Sequence, residues 1–228
     1  MAHFEIQQDQ DGKICEIIRD GKKVAAPFKL EQPDSIVKIY FDIASSSLLQ
    51  LETVEQHEKR RAFGLQSFLM SLTGLEAFAN TYFQMRGDEL SNPSIKELIN
   101  KESGKMTERL KTLIKAVGDG PLVDQQDLIA SIGQLAAARN GLVHPKWAQS
   151  TIEFGSQGPF ISGLVENPHI PFESPVYCRR ALLTCLLFVA RVAEVRKVQQ
   201  MEAFIFRWTG ISNISLPGLL SELKKLRK

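Results

Sequence analysis

The chain has 228 residues, 43% of them hydrophobic, with 28 basic against 26 acidic residues and a formal net charge of +2. That length and apolar fraction allow a sizeable buried core in one domain with an appendage, or in two small domains. The near-neutral balance excludes a strongly electrostatic mode of nucleic-acid binding, though not a local basic patch.

The opening residues, Met1-Ala2-His3-Phe4-Glu5, lack the basic start and apolar run of a signal peptide. The first fifty residues read as β-rich. Lys13 to Arg19 and Lys22 to Val24 are short runs separated by Asp20-Gly21. Asp-Gly between two such runs predicts a hairpin, because glycine accepts the positive φ of a type I′ turn. Ile36-Val37-Lys38-Ile39-Tyr40-Phe41-Asp42-Ile43 is expected to add a third strand.

From about Thr53 the period becomes helical. Leu65, Leu69, Leu72, Glu76, Ala79 and Phe83 recur by three and four and share one face, widened by Phe68 and Leu75. Gly87 is the expected C-cap of this helix of about thirty residues. Ser94 to Val117 predicts one or two shorter helices with a break near Gly104. After a turn at Gly118-Asp119-Gly120-Pro121, Asp124 is expected to cap a helix with Leu128, Ile132, Leu135, Arg139 and Leu142 along one stripe. Pro145 ends that helix near His144.

Residues 146–173 read as a long loop insertion, rich in glycine and proline, with a hairpin around Thr151 to Ile161. Ser174-Pro175 has the cap-then-proline order of a helix start. Apolar residues from Leu182 to Ile205 then predict one helix to about Trp208. Its longest apolar stretch, Ala181 to Val195, is too short to span a bilayer and carries Arg191 and Glu194. A short amphipathic helix from Leu216 to Leu226 closes the chain. The expected architecture is mainly α: residues 1–50 form a small N-terminal β extension and residues 51–228 a helical bundle. Cys15, Cys178 and Cys185 are odd in number and form no Cys-x-x-Cys pair. They predict buried thiols in a reducing compartment rather than a disulfide framework or zinc site. A cytoplasmic protein without membrane contact is expected.

The chemistry concentrates at Arg139-Asn140-Gly141-Leu142-Val143-His144. An arginine on an apolar stripe needs a partner or a solvent-lined cavity. Because Pro145 ends the helix, His144 can leave helical geometry and turn back toward Arg139, with Asn140 beside them. The plainer alternative is that Arg139 and His144 complement the negative helix C-terminus, at a few tenths to about 1 kcal/mol each. Glu76 interrupts the other apolar stripe, and a carboxylate there must be paired or protonated unless it reaches water at the stripe's edge. Arg139 is its natural partner. If the two pair, removing Glu76 strands a partly buried cation and is expected to cost about 3 kcal/mol or more.

Arg139-Asn140-x-x-x-His144, placed at the end of the third main helix of a bundle, resembles the signature of the HEPN superfamily: an arginine, four to six residues, then a histidine, with a polar residue directly after the arginine. The likeness covers roughly two thirds of the chain, about Thr53 to Trp208. The β-rich start and the 146–173 insertion lie outside it. The resemblance implies a HEPN-like bundle and, for many members, a metal-independent endoribonuclease. For others it implies an inactive module binding RNA, nucleotide or a partner protein. It also implies a homodimer that brings two motifs together, and a toxin or defence role with a cognate antitoxin or other partner. The residue types suit RNA, which supplies its own 2′-hydroxyl nucleophile. Histidine moves protons near neutral pH, and arginine offers a planar fork of donors to the phosphate. No cofactor is expected, and His3, His57 and His169 show no metal-ligand spacing. Glu76 is the expected support for Arg139. Lys59-Arg60-Arg61 and the C-terminal Lys224, Lys225, Arg227 and Lys228 either contact phosphates or form solvated helix faces. Trp147 either stacks a base or packs under the long loop. Kinase, dehydrogenase, α/β-hydrolase and zincin motifs do not occur.

Overall fold

A computed structural model describes residues 4–8, 14–24, 36–90, 92–100, 105–117, 120–143, 151–155, 158–162 and 170–226. Contacts divide the chain into Met1–Asp34 and Ser35–Lys228.

In the first unit, β1 (Phe4–Gln8), β2 (Ile14–Arg19) and β3 (Lys22–Lys23) form an antiparallel sheet in the order β1-β2-β3. Asp20 and Gly21 have φ of 51° and 75°, the paired positive values of a type I′ turn. Arg19 pairs with Lys22 across it, as Asp20-Gly21 predicts.

The second unit is a helical bundle. Its helices are α1 (Ile36–Thr53), α2 (His57–Glu89), α3 (Pro93–Asn100), α4 (Met106–Val117), α5 (Gln125–Val143), α6 (Pro175–Val195), α7 (Met201–Thr209) and α8 (Leu216–Lys225). A hairpin of β4 (Thr151–Gly155) and β5 (Gly158–Ser162) lies within the insertion, close to the expected place. A 3-10 turn at Ile170–Glu173 leads into α6. Among the described residues, no helix is long and apolar enough to cross a membrane.

The core gathers on α2, the longest helix at 33 residues. Phe68, Leu72, Leu75, Phe78, Ala79 and Phe83 are buried along it. They meet α1, α6 and an aromatic group in which Phe78 and Tyr82 pack against Trp208 of α7 at ring distances of 5.2 and 5.7 Å. Ser174 caps α6 by accepting from the Tyr177 amide, with proline in its first turn, and Ser215 caps α8 through the Gly218 amide. The start of α6 therefore follows its sequence signal.

Several expectations are corrected. Ile36 to Ile43 is the start of α1, not a third strand, so residues 36–50 belong to the bundle rather than to the β extension. Its β-branched opening is overridden by packing: Val37, Phe41, Ala44, Leu48 and Leu51 recur by four and three and are buried against α2. Gly74 of α2 makes room for Phe41, whose ring would lie 3.1 Å from a β-carbon there. Gly87 is inside α2 rather than at its cap, which is Leu90. Its missing side chain instead admits Ile95 of α3, 3.0 Å from where a β-carbon would stand.

Asp124 has φ of 53° rather than a cap's extended conformation, and its carboxylate accepts from Arg191 at 3.2 Å. The helix expected to run to Trp208 breaks after Val195. Lys197 takes φ of 51°, its amide donates to the Glu194 carbonyl, and the Val198 amide donates to the Ala193 carbonyl. This is a Schellman ending with lysine where glycine is usual. The expected break near Gly104 lies outside the described residues.

Candidate functional site

Arg139 lies one turn before the end of α5, on the stripe formed by Leu128, Ile132 and Leu135. Those three are buried, while Arg139 emerges where the stripe reaches the bundle's edge. Glu76 stands at the edge of the buried face of α2. Arg139 Nη1 donates to Glu76 Oε2 at 3.1 Å, with the two side chains 31% and 32% exposed. The structure thus brings together the two residues that interrupt apolar stripes. The pair is half-open to solvent rather than buried, so both expectations for Glu76 hold at once: it is paired and it lies at the stripe's edge. Among the described residues, Glu76 is the ion-pair partner of Arg139.

A further arginine joins them. Arg109 of α4 places Nη1 3.7 Å from Glu76 Oε1, and its Nη2 donates to Asn80 Oδ1, one turn along α2 from Glu76. The sequence reading missed Arg109 and Asn80; that Arg109 is out of place on its helix was visible in the sequence, its meeting with Glu76 and Asn80 was not. Arg109 falls three residues after Met106 and four before Leu113, so it interrupts the apolar stripe of α4 as Glu76 and Arg139 interrupt theirs. The site therefore holds Glu76, Asn80, Arg109 and Arg139 at the junction of α2, α4 and α5. Glu76 there faces two guanidinium groups, one from α4 and one from α5. Asn140, next to Arg139, is exposed. His144 and Trp147 lie outside the described residues, and α5 ends at Val143, immediately before that histidine.

No family model, no curated protein and no solved structure matches this chain.

The basic cluster Lys59-Arg60-Arg61 has a different place. Arg60 donates from Nη1 to the Val54 carbonyl and from Nη2 to the Glu173 carbonyl, both at 3.0 Å. Arg61 grips the Glu173 carboxylate with Nε at 2.9 Å and Nη2 at 2.6 Å, and His57 Nδ1 lies 3.3 Å from its other oxygen. These contacts fasten the end of the insertion to the start of α2, so Arg60 and Arg61 are engaged within the fold. Lys59 is exposed. At the other end of the chain, Lys225 pairs with Glu222 at 2.6 Å, while Arg227 and Lys228 lie outside the described residues. Hydrogen bonding from Arg61, and next from His57, holds the Glu173 carboxyl below its usual value, although burial pulls upward.

Cys178 and Cys185 are free and buried, as small apolar residues would be. Burial pushes the Cys178 thiol up to about 12 and the Cys185 thiol higher still. Neither is poised as a nucleophile, because the reactive form is the thiolate. The side chain of Cys15 lies outside the described residues. Among the described residues, no group of three or more His, Cys, Asp or Glu side chains is placed to hold a metal ion.

Proposed function

We propose that this chain is a HEPN-type endoribonuclease that cleaves single-stranded RNA without a metal, acting as a homodimer in a toxin or defence role. The observation that carries the proposal is the state of Arg139. Glu76 holds it through Nη1 alone, and it is 31% exposed. Its remaining donor edge is therefore available to a phosphate, and the guanidinium is steadied before any ligand arrives. A cation held in this way, five residues before His144 in the sequence, supports a role in transesterification of RNA.

In the proposed reaction the RNA 2′-hydroxyl gives its proton to solvent water and its oxygen bonds to the adjacent phosphorus. The bond from phosphorus to the 5′-oxygen breaks. His144 gives a proton to that leaving oxygen, while Arg139 balances charge on the non-bridging oxygens. The products are a 2′,3′-cyclic phosphate and a 5′-hydroxyl. A histidine changes protonation near neutral pH, which suits the general acid. Asn140 positions the substrate or the histidine and transfers nothing.

The test is denaturing electrophoresis of labelled RNA incubated with the purified protein in chelator. Wild type should cleave and leave cyclic phosphate ends, and His144→Ala should not. Arg139→Lys should lose about a hundredfold or more, because a point charge cannot reproduce the fork. Asn140→Ala should lose less. Equal cleavage by wild type and His144→Ala would assign the activity to a contaminant. No cleavage by wild type across a mixed RNA pool would leave a non-catalytic module that binds RNA, nucleotide or a partner protein. Light scattering that finds only monomer at micromolar concentration would count against a shared, two-motif site.

A further inference from the structure

A carboxylate facing a lone arginine usually takes two parallel hydrogen bonds, one to each oxygen, and so covers one whole edge of the guanidinium. The Glu76–Arg139 pair does not do this. Arg139 reaches Oε2 through Nη1, while Oε1 faces Nη1 of Arg109 at 3.7 Å. Arg109 is held in that direction by its bond to Asn80, which lies one turn along α2 from Glu76. The single carboxylate is thus divided between two guanidinium groups brought in from α4 and α5.

We propose that Arg109 is a positioning residue: by occupying Oε1 of Glu76 it keeps the carboxylate from closing over Arg139, so that Arg139 presents its fork to the phosphate of the substrate. The proposal rests on the reading of Arg139 as the phosphate-binding group. Without Arg109, Glu76 would be free to turn both oxygens toward Arg139, neutralise it and cover the edge a phosphate needs.

The experiment has one readout that needs no RNA. Native protein is treated briefly with phenylglyoxal, which modifies accessible guanidinium groups, and modification of the Arg139 peptide is followed by mass spectrometry. In Arg109→Gln the Arg139 rate should fall about two- to fivefold, the size of one partly exposed ion-pair coupling. Arg109→Lys keeps the charge but not the fork and should fall between wild type and Arg109→Gln. In the double variant Glu76→Gln/Arg109→Gln the rate should recover, because a neutral amide cannot close over Arg139 as a carboxylate does.

With RNA, Arg109→Gln should raise KM several-fold with a smaller change in kcat, and the double variant should regain part of that loss. A merely structural Arg109 would give additive losses in the double variant instead. An unchanged or faster Arg139 rate in folded Arg109→Gln would overturn the proposal, and folding of each variant is checked by circular dichroism. Should Arg109→Gln not fold, Arg109→Lys carries the same comparison, and a rate equal to wild type would then overturn it. If labelling follows the expected order but wild type cleaves no RNA, the positioning role stands and the endoribonuclease reading fails. If wild type cleaves RNA but labelling does not follow that order, the opposite holds.

Discussion

Gly64 of α2 lies so close to Phe172 that a β-carbon on it would stand 1.6 Å from the Phe172 carbonyl oxygen. The approach seats Phe172, which is buried, against Phe68 at a ring distance of 4.8 Å and against Tyr177 at 5.6 Å. Cys178 Sγ also reaches the Gly64 carbonyl at 3.4 Å. The end of the insertion is thus pressed directly onto the α2 backbone. Gly64→Ala should destabilise the protein by about 3 kcal/mol, the upper end for overpacking, because the obstructing atom is backbone and cannot rotate away. Urea denaturation checks this, and an unchanged midpoint would mean that the two backbones are not in contact.

The same segment sets an acid-side dependence. The Arg61 hydrogen bond, with a smaller share from His57, holds the Glu173 carboxyl below its ordinary value of 4.5. A carboxyl lowered by folding stabilises the native state fully above its unfolded value, and this contribution is lost as pH falls through the lower folded value. Below about pH 4.5, Glu173→Gln should therefore lose stability less steeply than wild type. Parallel pH profiles of the urea midpoint would rule the contact out as a source of the acid sensitivity.

Glu76→Ala should cost about 1 kcal/mol rather than the 3 kcal/mol of a buried pair, since solvent screens both partners. For a chain of this size that corresponds to a fall in melting temperature of about 2–4 °C. The loss also leaves Arg109 and Arg139 facing each other without the intervening carboxylate. A variant that melts with wild type would show that the pair does not hold in solution.

At the break between α6 and α7, Lys197 occupies the left-handed region at φ 51°. Lys197→Gly should stabilise the protein by about 0.5–1 kcal/mol, because glycine adopts this conformation without the β-carbon penalty. A lower denaturation midpoint in Lys197→Gly would mean that α6 does not end there.

Local chemistry by itself determined a good part of this chain. Asp20-Gly21 specifies a turn through the φ that glycine tolerates, Ser174-Pro175 starts α6 through a cap and a preset φ, and the apolar stripes of α2 and α5 follow from a period of 3.6. Glu76 and Arg139 were legible for the same reason: each is a charge where its own helix calls for an apolar residue.

Only the tertiary structure decided the rest. Ile36 to Ile43 has the β-branched content of a strand, and it is helical because Val37, Phe41 and Ala44 bury against α2. Gly64, Gly74 and Gly87 sit inside one helix, where a glycine costs stability locally, and each earns its place only through a neighbour distant in sequence. Arg109 and Asn80 enter the site because α2, α4 and α5 meet there, and the division of one carboxylate between two arginines depends on that meeting. Turns and caps are settled by the few residues that form them. Close approaches and shared charges depend on atoms far apart in the chain, which only folding brings together.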